Sequence, residues 1–351
     1  MKIIHLADVH LGSKIDAKFT KEKSEERRRD ILATFKNVVE YAKENNIKVI
    51  LLAGDVFDKD NPSMKDKKNF YSMVKNNPDI DFLYLKGNHD SETSYFETIP
   101  NLKEFSNKWS KYSYEDIDIS GIEFDDGNYE SLYSTLDLDE SHVNIVMLHG
   151  QIASKVSKYG INLSKLKNKN IDYLALGHVH KYWEGAIDKR GIAVYPGCLE
   201  PRGFDELGEK GFVELEIEGK EIKHKFIPFA SKTIHEIDVD ISESKDAYSV
   251  YLKIKPLITN SNDMYRINLT GEKSFEEEGL ISQLESYLSN DCYLVSIKDQ
   301  SALKIDVSQY INSASLKGEF VRMVMNSSHS EEEKNEIIRL GLKALLGEDV
   351  A

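Results

Sequence analysis

The sequence predicts an α/β protein in which two β-sheets are flanked by helices, followed by a small α+β domain near the C-terminal end. Two observations carry this. Apolar runs of strand length recur through the first two-thirds of the 351 residues with helix-period segments between them. Further on, the texture changes to short alternating runs separated by turn residues.

The runs KIIHLAD (2–8), KVILLAGD (48–55), DFLYLKGNHD (81–90), HVNIVMLHG (142–150) and DYLALGHVH (172–180) have the near-continuous apolar character of strands buried on both faces. Between the first two, Ile31, Phe35, Val38, Val39 and Ala42 recur at helical spacing behind Ser24 as N-cap, which predicts a crossover helix. Residues 61–77 repeat the pattern, so the early strands form a largely parallel sheet. From about 111 to 136 and from 182 to 228 the alternation predicts a second, antiparallel sheet. Past 230, strands at 249–255, 265–271 and 292–299 surround a helix at 275–290, and two helices follow, the second capped by Ser330. The predicted domains are 1–230, 231–312 and 313–351.

Forty-six Lys and Arg stand against sixty Asp and Glu, a net charge of −14 that argues against coating nucleic acid by bulk charge. A local exception lies in residues 151–190, where eight Lys and Arg face three acids and form a candidate phosphate-tracking surface. Cys198 and Cys292 lie far apart in no metal-like spacing, which predicts a cytoplasmic protein without structural disulfides. No apolar run has membrane-spanning length, and Asp8 and His10 interrupt the stretch a signal peptide needs.

Each of the five apolar runs ends on a polar cluster: Asp8 and His10; Asp55; Asn88, His89 and Asp90; His149; His178 and His180. Ligand crevices of open α/β sheets lie at the carboxyl ends of strands, so the runs deliver these side chains to one place. Buried imidazoles and carboxylates in such number call for a cation. Asp8, His10, Asp55, Asn88, His149, His178 and His180 are too many ligands for one ion with an open position, which points to two divalent ions bridged by Asp55. Oxygen and imidazole donors without thiolate favour Mn, with Fe, Zn and Mg as alternatives.

The ordered set DxH, GDxxD, GNHD, HG and GHxH resembles the calcineurin-like metallophosphoesterases over residues 1–228. Within them, HLADVHLG, LLAGDVFDKDNPS and GHVHKYW resemble DNA-repair nucleases of the SbcD and meiotic-recombination-eleven group, and YPGCLEPRGFDELGEKGFVELEI resembles its YhaO-like bacterial branch. The resemblance implies a two-sheet sandwich, with Asp8, His10, Asp55 and His180 on one ion and Asp55, Asn88, His149 and His178 on the other. It makes His89 the residue that protonates or stabilises the leaving oxygen, with Asp90 orienting its ring. Asp58 departs from the histidine that archaeal and eukaryotic relatives often carry there; it and Arg202 are candidate substrate contacts, with Phe204 beside Arg202.

The resemblance further implies a Mn-dependent exonuclease or endonuclease acting on DNA, a homodimer bundle built from helices at 61–77 and 95–110 through Phe70, Tyr71 and Val74, and an SbcC-type coiled-coil ATPase gripped by C-terminal helices through Phe320, Val321, Val324, Met325, Ile337, Ile338, Leu342, Leu345 and Leu346. Arg27, Arg28 and Arg29 are expected on the solvated face of the first helix. The alternatives are a small-substrate phosphodiesterase or phosphatase on the same scaffold, and a catalytically silent scaffold, against which the full ligand set speaks.

Overall fold

The computed structural model describes residues 1–15, 19–58, 62–90, 98–275, 279–303 and 310–346, and the chain divides into two compact units, Met1–His235 and Glu236–Ala351. The first unit opens with β1 (Lys2–Leu6), α1 (Lys21–Glu44), β2 (Val49–Ala53), α2 (Met64–Lys75), β3 (Asp81–Leu85), β4 (Leu102–Glu104), β5 (Ser110–Tyr114) and β6 (Ile117–Gly121). It continues with α3 (Leu132–Thr135), β7 (Val143–His149), β8 (Gln151–Ile152), β9 (Gly160–Ile161), β10 (Tyr173–Gly177), β11 (Trp183–Ala186), β12 (Ile192–Tyr195), β13 (Gly211–Glu218) and β14 (Glu221–Pro228).

Two six-stranded sheets result, ordered β14-β13-β1-β2-β3-β4 and β11-β12-β10-β7-β6-β5. The five apolar runs therefore do not share one parallel sheet: β1, β2 and β3 lie in the first, β7 and β10 in the second. Nor is the second sheet antiparallel. β6, β7, β10 and β12 pair in parallel, and only its edge strands β5 and β11 run the other way. The hairpin of β13 and β14 joins the first sheet against β1. A continuous apolar run reports burial on both faces but carries no information about which sheet receives it.

Strand alternation then sorts the core into layers. Ile4 and Leu6 of β1 pack with Ile31, Phe35 and Val38 of α1, whereas Ile3 joins Val49, Leu51, Ile145, Met147 and Ala175 between the sheets. The outer face of the second sheet is closed by Leu132 and Tyr133 of α3 with Leu148, Leu174 and Leu176. His5 is the polar member of the inter-sheet layer. Its Nε2 donates to Leu176 O at 3.2 Å and its Nδ1 accepts from the Tyr173 hydroxyl at 2.9 Å. Complete burial lowers its pKa to about 3, so the ring is neutral and bolts β1 to β10, aligning the two strand ends that carry Asp8 and His178.

Helix α1 begins earlier than expected: Thr20, not Ser24, is the N-cap, and its hydroxyl accepts from Lys23 N at 3.2 Å. Arg27 is also not solvated. It lies four residues before Ile31 and so on the buried stripe, with no exposed surface. Its guanidinium donates to Glu200 Oε2 (2.6 Å), Pro201 O (3.0 Å), Asp30 Oδ2 (2.8 Å) and Ser231 Oγ (3.1 Å). Glu200 accepts in addition from the Thr34 hydroxyl and the Ser231 N–H, both at 2.5 Å. Two buried opposite charges, hydrogen-bonded except at Arg27 Nε, thus tie α1 to the chain that follows β12.

The helix expected at 95–110 is absent from its described part, residues 98–110, which form a turn, β4 and the first residue of β5; residues 95–97 lie outside the described residues. Phe70, Tyr71 and Val74 of α2 are fully or almost fully buried among Phe35, Phe57 and Tyr84 of their own chain, so they offer no dimer surface.

The second unit carries β15 (Ile234–Asp240), α4 (Ala247–Ile254), β16 (Met264–Thr270), β17 (Glu272–Lys273), α5 (Leu280–Leu288), β18 (Leu294–Asp299), β19 (Ala302–Leu303), α6 (Leu316–Met325) and α7 (Glu331–Leu346). A three-stranded sheet, β15-β16-β18, packs Ile241, Ile267 and Leu269 on Val250 of α4 and Leu284 and Leu288 of α5. Residues 249–255, expected as a strand, are helical: Asp246 and Ser249 form a reciprocal capping box, and Val250 and Ile254 are buried at i, i+4 spacing. In α6 and α7, Val321, Val324, Ile338 and Leu342 are consumed by packing the two helices on each other, with Phe320, Met325 and Ile337 partly buried around them. They are therefore unavailable to a partner. The exposed apolar side chains of these helices are Leu316, Met323, Leu340 and Leu345, and the side chain of Leu346 lies outside the described residues. Among the described residues no helix is long and apolar enough to cross a membrane.

Removing one partner of a buried ion pair strands the other charge. Arg27→Ala is expected to cost about 3–5 kcal/mol by urea denaturation, and Arg29→Ala, on the exposed face, less than about 0.5 kcal/mol.

Candidate metal centre

The loops that leave the strands are held in uncommon backbone conformations. Asp8, His10 and Asp55 each have φ of 52° and His178 has φ of 100°, the left-handed region that non-glycine residues seldom enter. Such strain persists where the surroundings over-determine it, and it concentrates at functional sites. The surroundings here are hydrogen bonds: Asp8 N donates to Gly54 O and His10 N to Asp55 O, both at 3.0 Å, while Asp8 accepts the His178 N–H at 3.0 Å. Two glycines let the loops close. A Cβ on Gly54, whose φ is 91°, would collide with the His149 ring, and one on Gly177 would collide with Ala53 O.

All seven expected ligands are brought together, in two groups. In the first, His10 Nε2 lies 3.2 Å from His180 Nε2 and 4.0 Å from Asp55 Oδ2, and His180 Nε2 lies 3.8 Å from Asp8 Oδ1. In the second, His149 Nε2 is 3.3 Å from Asp55 Oδ2 and 3.1 Å from Asn88 Oδ1, and His178 Nδ1 is 3.0 Å from Asn88 Oδ1. Asp55 belongs to both. Asp8, His10, Asp55 and His149 are each buried, whereas Asn88, His178 and His180 are half-buried and line the open side.

The donor count shows that these residues fit cations. His149 Nδ1 donates to Ala53 O at 2.9 Å, and His180 Nδ1 lies 2.7 Å from Glu206 Oε1 and 3.0 Å from Arg202 Nη2, so both rings point Nε2 into the site. Burial lowers His10 and His178 to about 4, leaving both neutral. Imidazole nitrogens, the Asn88 carbonyl oxygen and two carboxylates therefore face one another, a donor set that suits divalent cations. Asp8, His10 and His180 would hold one ion and Asn88, His149 and His178 another, with Asp55 within reach of both groups.

His89 donates its backbone N–H to Asp55 Oδ1 at 2.9 Å, and its ring stands edge-on to His10 with centroids 5.4 Å apart. The buried Asp90 carboxylate accepts the N–H groups of Phe57 (2.9 Å), Gly87 (3.0 Å) and Val56 (3.3 Å), clamping the loop after β3 onto the loop after β2.

Asp58 and Arg202 are likewise turned inward. Asp58 Oδ1 lies 3.4 Å from His10 Nδ1 and 3.5 Å from Arg202, and its carboxylate accepts Lys14 N–H. Arg202 pairs with Glu206 at 2.9 Å. Phe204 is buried against Phe19. Glu206 is the residue that sequence reasoning missed; it lies in a turn 26 residues from His180, with no motif to mark it. Cys198, His180 and Glu206 also cluster, but the Arg202 guanidinium already supplies the positive charge there.

In the basic stretch, Arg190 is committed to Asp172 and to the carbonyls of Glu140 and His142, Lys158 pairs with Asp126, and Lys165 covers the Tyr133 ring. Lys155, Lys167, Lys181 and Lys189 are exposed.

Burial raises Asp8 to about 6, and Asp55 raises His149 to about 9 against the opposing effect of burial. Without cations both groups hold protons below those values, and cations must expel them. Apparent Mn affinity should therefore rise with pH and level off above about 9. Calorimetry in buffers of different ionisation enthalpy should register the released protons.

Residues 1–182 match the calcineurin-like phosphoesterase family. The chain is 24% identical over 380 residues to the DNA double-strand break repair protein Mre11 of Sulfolobus acidocaldarius, covering 95% of this chain and 96% of that protein. It is 24% identical over 286 residues to the uncharacterised metallophosphoesterase YhaO of Bacillus subtilis strain 168, covering 73% and 67% respectively. A solved structure, TT1561 of Thermus thermophilus, aligns with a TM-score of 0.41 at 12% identity, over 64% of this chain and 98% of that one. The family match spans more than half of the 351 residues and includes all seven candidate ligands, and the chain belongs to the calcineurin-like phosphoesterases.

Proposed function

We propose that the chain is a Mn-dependent DNA nuclease, exonucleolytic or endonucleolytic, and the catalytic subunit of a DNA-repair complex. Membership of its family makes it a hydrolase of phosphoesters that uses a dimetal centre. The observation that carries the finer reading is a complete, half-open pair of ligand groups sharing Asp55, in a chain alignable along almost its whole length with a protein named for double-strand break repair.

Two divalent cations, when bound, supply Lewis-acid activation of water and neutralise the phosphodiester charge. The chain's residues do the rest. His149 and His180 are oriented with Nε2 inward because their opposite ring nitrogens face Ala53 O and Glu206, and His10 Nδ1 lies 3.4 Å from Asp58. Asp55 is kept from rotating by the His89 N–H and lies within reach of both imidazole groups. The His89 ring, half-buried beside His10, holds a proton for the oxygen that departs from phosphorus as water adds and the P–O ester bond breaks. Lys155 and Lys181, exposed on segments that lead away from His149 and His180, suit contact with the flanking phosphates of a polymer.

We assign DNA as the substrate, an SbcC-type coiled-coil ATPase as the partner of the exposed apolar face of α6, and a homodimer as the working form, held by residues other than Phe70, Tyr71 and Val74.

With Mn, the purified chain should shorten linear DNA. His89→Ala should lower kcat by about 10²–10⁴-fold while two Mn ions still bind, and Asp55→Ala should abolish both activity and two-ion binding. Hydrolysis of a nitrophenyl phosphodiester with DNA left intact would transfer the assignment to small substrates. Leu316→Glu with Met323→Glu, one face of α6, should abolish co-purification with the ATPase and leave DNA digestion unchanged; retained co-purification would place the partner elsewhere.

A further inference from the structure

The two ligand groups are supported from behind by different chemistry. On the Asn88 side, His149 is oriented by a neutral backbone carbonyl, Ala53 O at 2.9 Å. On the Asp8 side, both imidazoles are backed by carboxylates: His180 by Glu206 at 2.7 Å and His10 by Asp58 at 3.4 Å. Arg202 lies between these carboxylates, 2.9 Å from Glu206 and 3.5 Å from Asp58. Its backbone N–H donates to Glu206 Oε2 at 2.6 Å and its Nε to Oε1 at 3.2 Å. Lys210, also buried, donates to His180 O at 2.9 Å, fixing the backbone of the same ligand.

We infer that Glu206, clamped by Arg202, is a positioning residue for one cation alone: it fixes the tautomer and ring angle of His180 and thereby sets the affinity of the Asp8-side ion, leaving the Asn88-side ion to its backbone-supported ligands.

The geometry excludes the simpler view of Glu206 as a third metal ligand. Its oxygens are engaged by His180 Nδ1 and by three nitrogens of Arg202, a guanidinium among them, so a cation in that place would meet a fixed positive charge. A surface ion pair is excluded by burial, since Glu206 is 7% exposed. What remains is the arrangement of a carboxylate, an imidazole and a metal in line, in which the carboxylate raises the ligand's basicity and removes its rotational freedom. Arg202 compensates the charge of Glu206, so the pair adds orientation without adding a net charge to the site.

The inference rests on the dimetal reading above, and its test separates the two. Mn binding to the full chain is followed by calorimetry and by electron paramagnetic resonance, which distinguishes an exchange-coupled ion pair from an isolated ion. Wild type should bind two ions and show the coupled signal. Glu206→Ala should weaken one of the two by about 10–100-fold, converting the spectrum at limiting Mn to that of an isolated ion. Glu206→Gln keeps an oxygen that accepts from His180 and should retain an intermediate affinity for the same ion, and it serves where the alanine variant folds poorly. If both ions weaken equally in either folded variant, or neither does, the positioning role is wrong although the dimetal reading stands. If wild type binds no Mn, both fall.

Discussion

Everything at the mouth of the two sheets follows from one constraint: imidazoles, an amide oxygen and two carboxylates converge, buried or half-buried, on one small space. The Nδ1 atoms of His149 and His180 face Ala53 O and Glu206, which turns their Nε2 atoms inward. Collecting such groups costs each of them its water. The left-handed conformations of Asp8, His10, Asp55 and His178 add local strain at the same four places. Stability and function are opposed here, and the cations reconcile them.

The rest of the first unit keeps that unfavourable convergence in register. The ligands come from five strand ends divided between two sheets, so a slip of one sheet on the other would separate Asp8 from His178. His5 opposes the slip by hydrogen-bonding across the inter-sheet layer to Tyr173 and Leu176. Arg27 and Glu200 tie α1 to the segment leading into Arg202 and Glu206, and so hold the clamp on His180 from its far side. Each device is a buried, hydrogen-bonded polar group that is expensive to halve.

The parts visible in the sequence were those written locally. Apolar runs that stop on Asp, Asn or His revealed the strands and the seven residues that converge at their ends, because strand length and the polar residue beside it are adjacent in the chain. The division of strands between sheets was invisible, since an apolar run looks the same in either. Arg27 was misread from its arginine neighbours, although its spacing to Ile31 and Phe35 placed it on the buried stripe; its partner Glu200 lies 173 residues away. Glu206 was missed for the same reason, as His180 is recognisable by motif and the group behind it is not. Residues 249–255 alternate like a strand, and only the Asp246–Ser249 capping box and the burial of Val250 and Ile254 decide for helix. In α6 and α7 periodicity identified apolar faces but not that most of each is spent on the other.

The central claim is that two cations share Asp55. Diffraction from Mn-soaked crystals at the manganese absorption edge tests it directly. The account predicts two anomalous peaks, one among Asp8, His10 and His180 and one among Asn88, His149 and His178, with the Asp55 carboxylate touching both. A single peak, or none between these side chains, would contradict it.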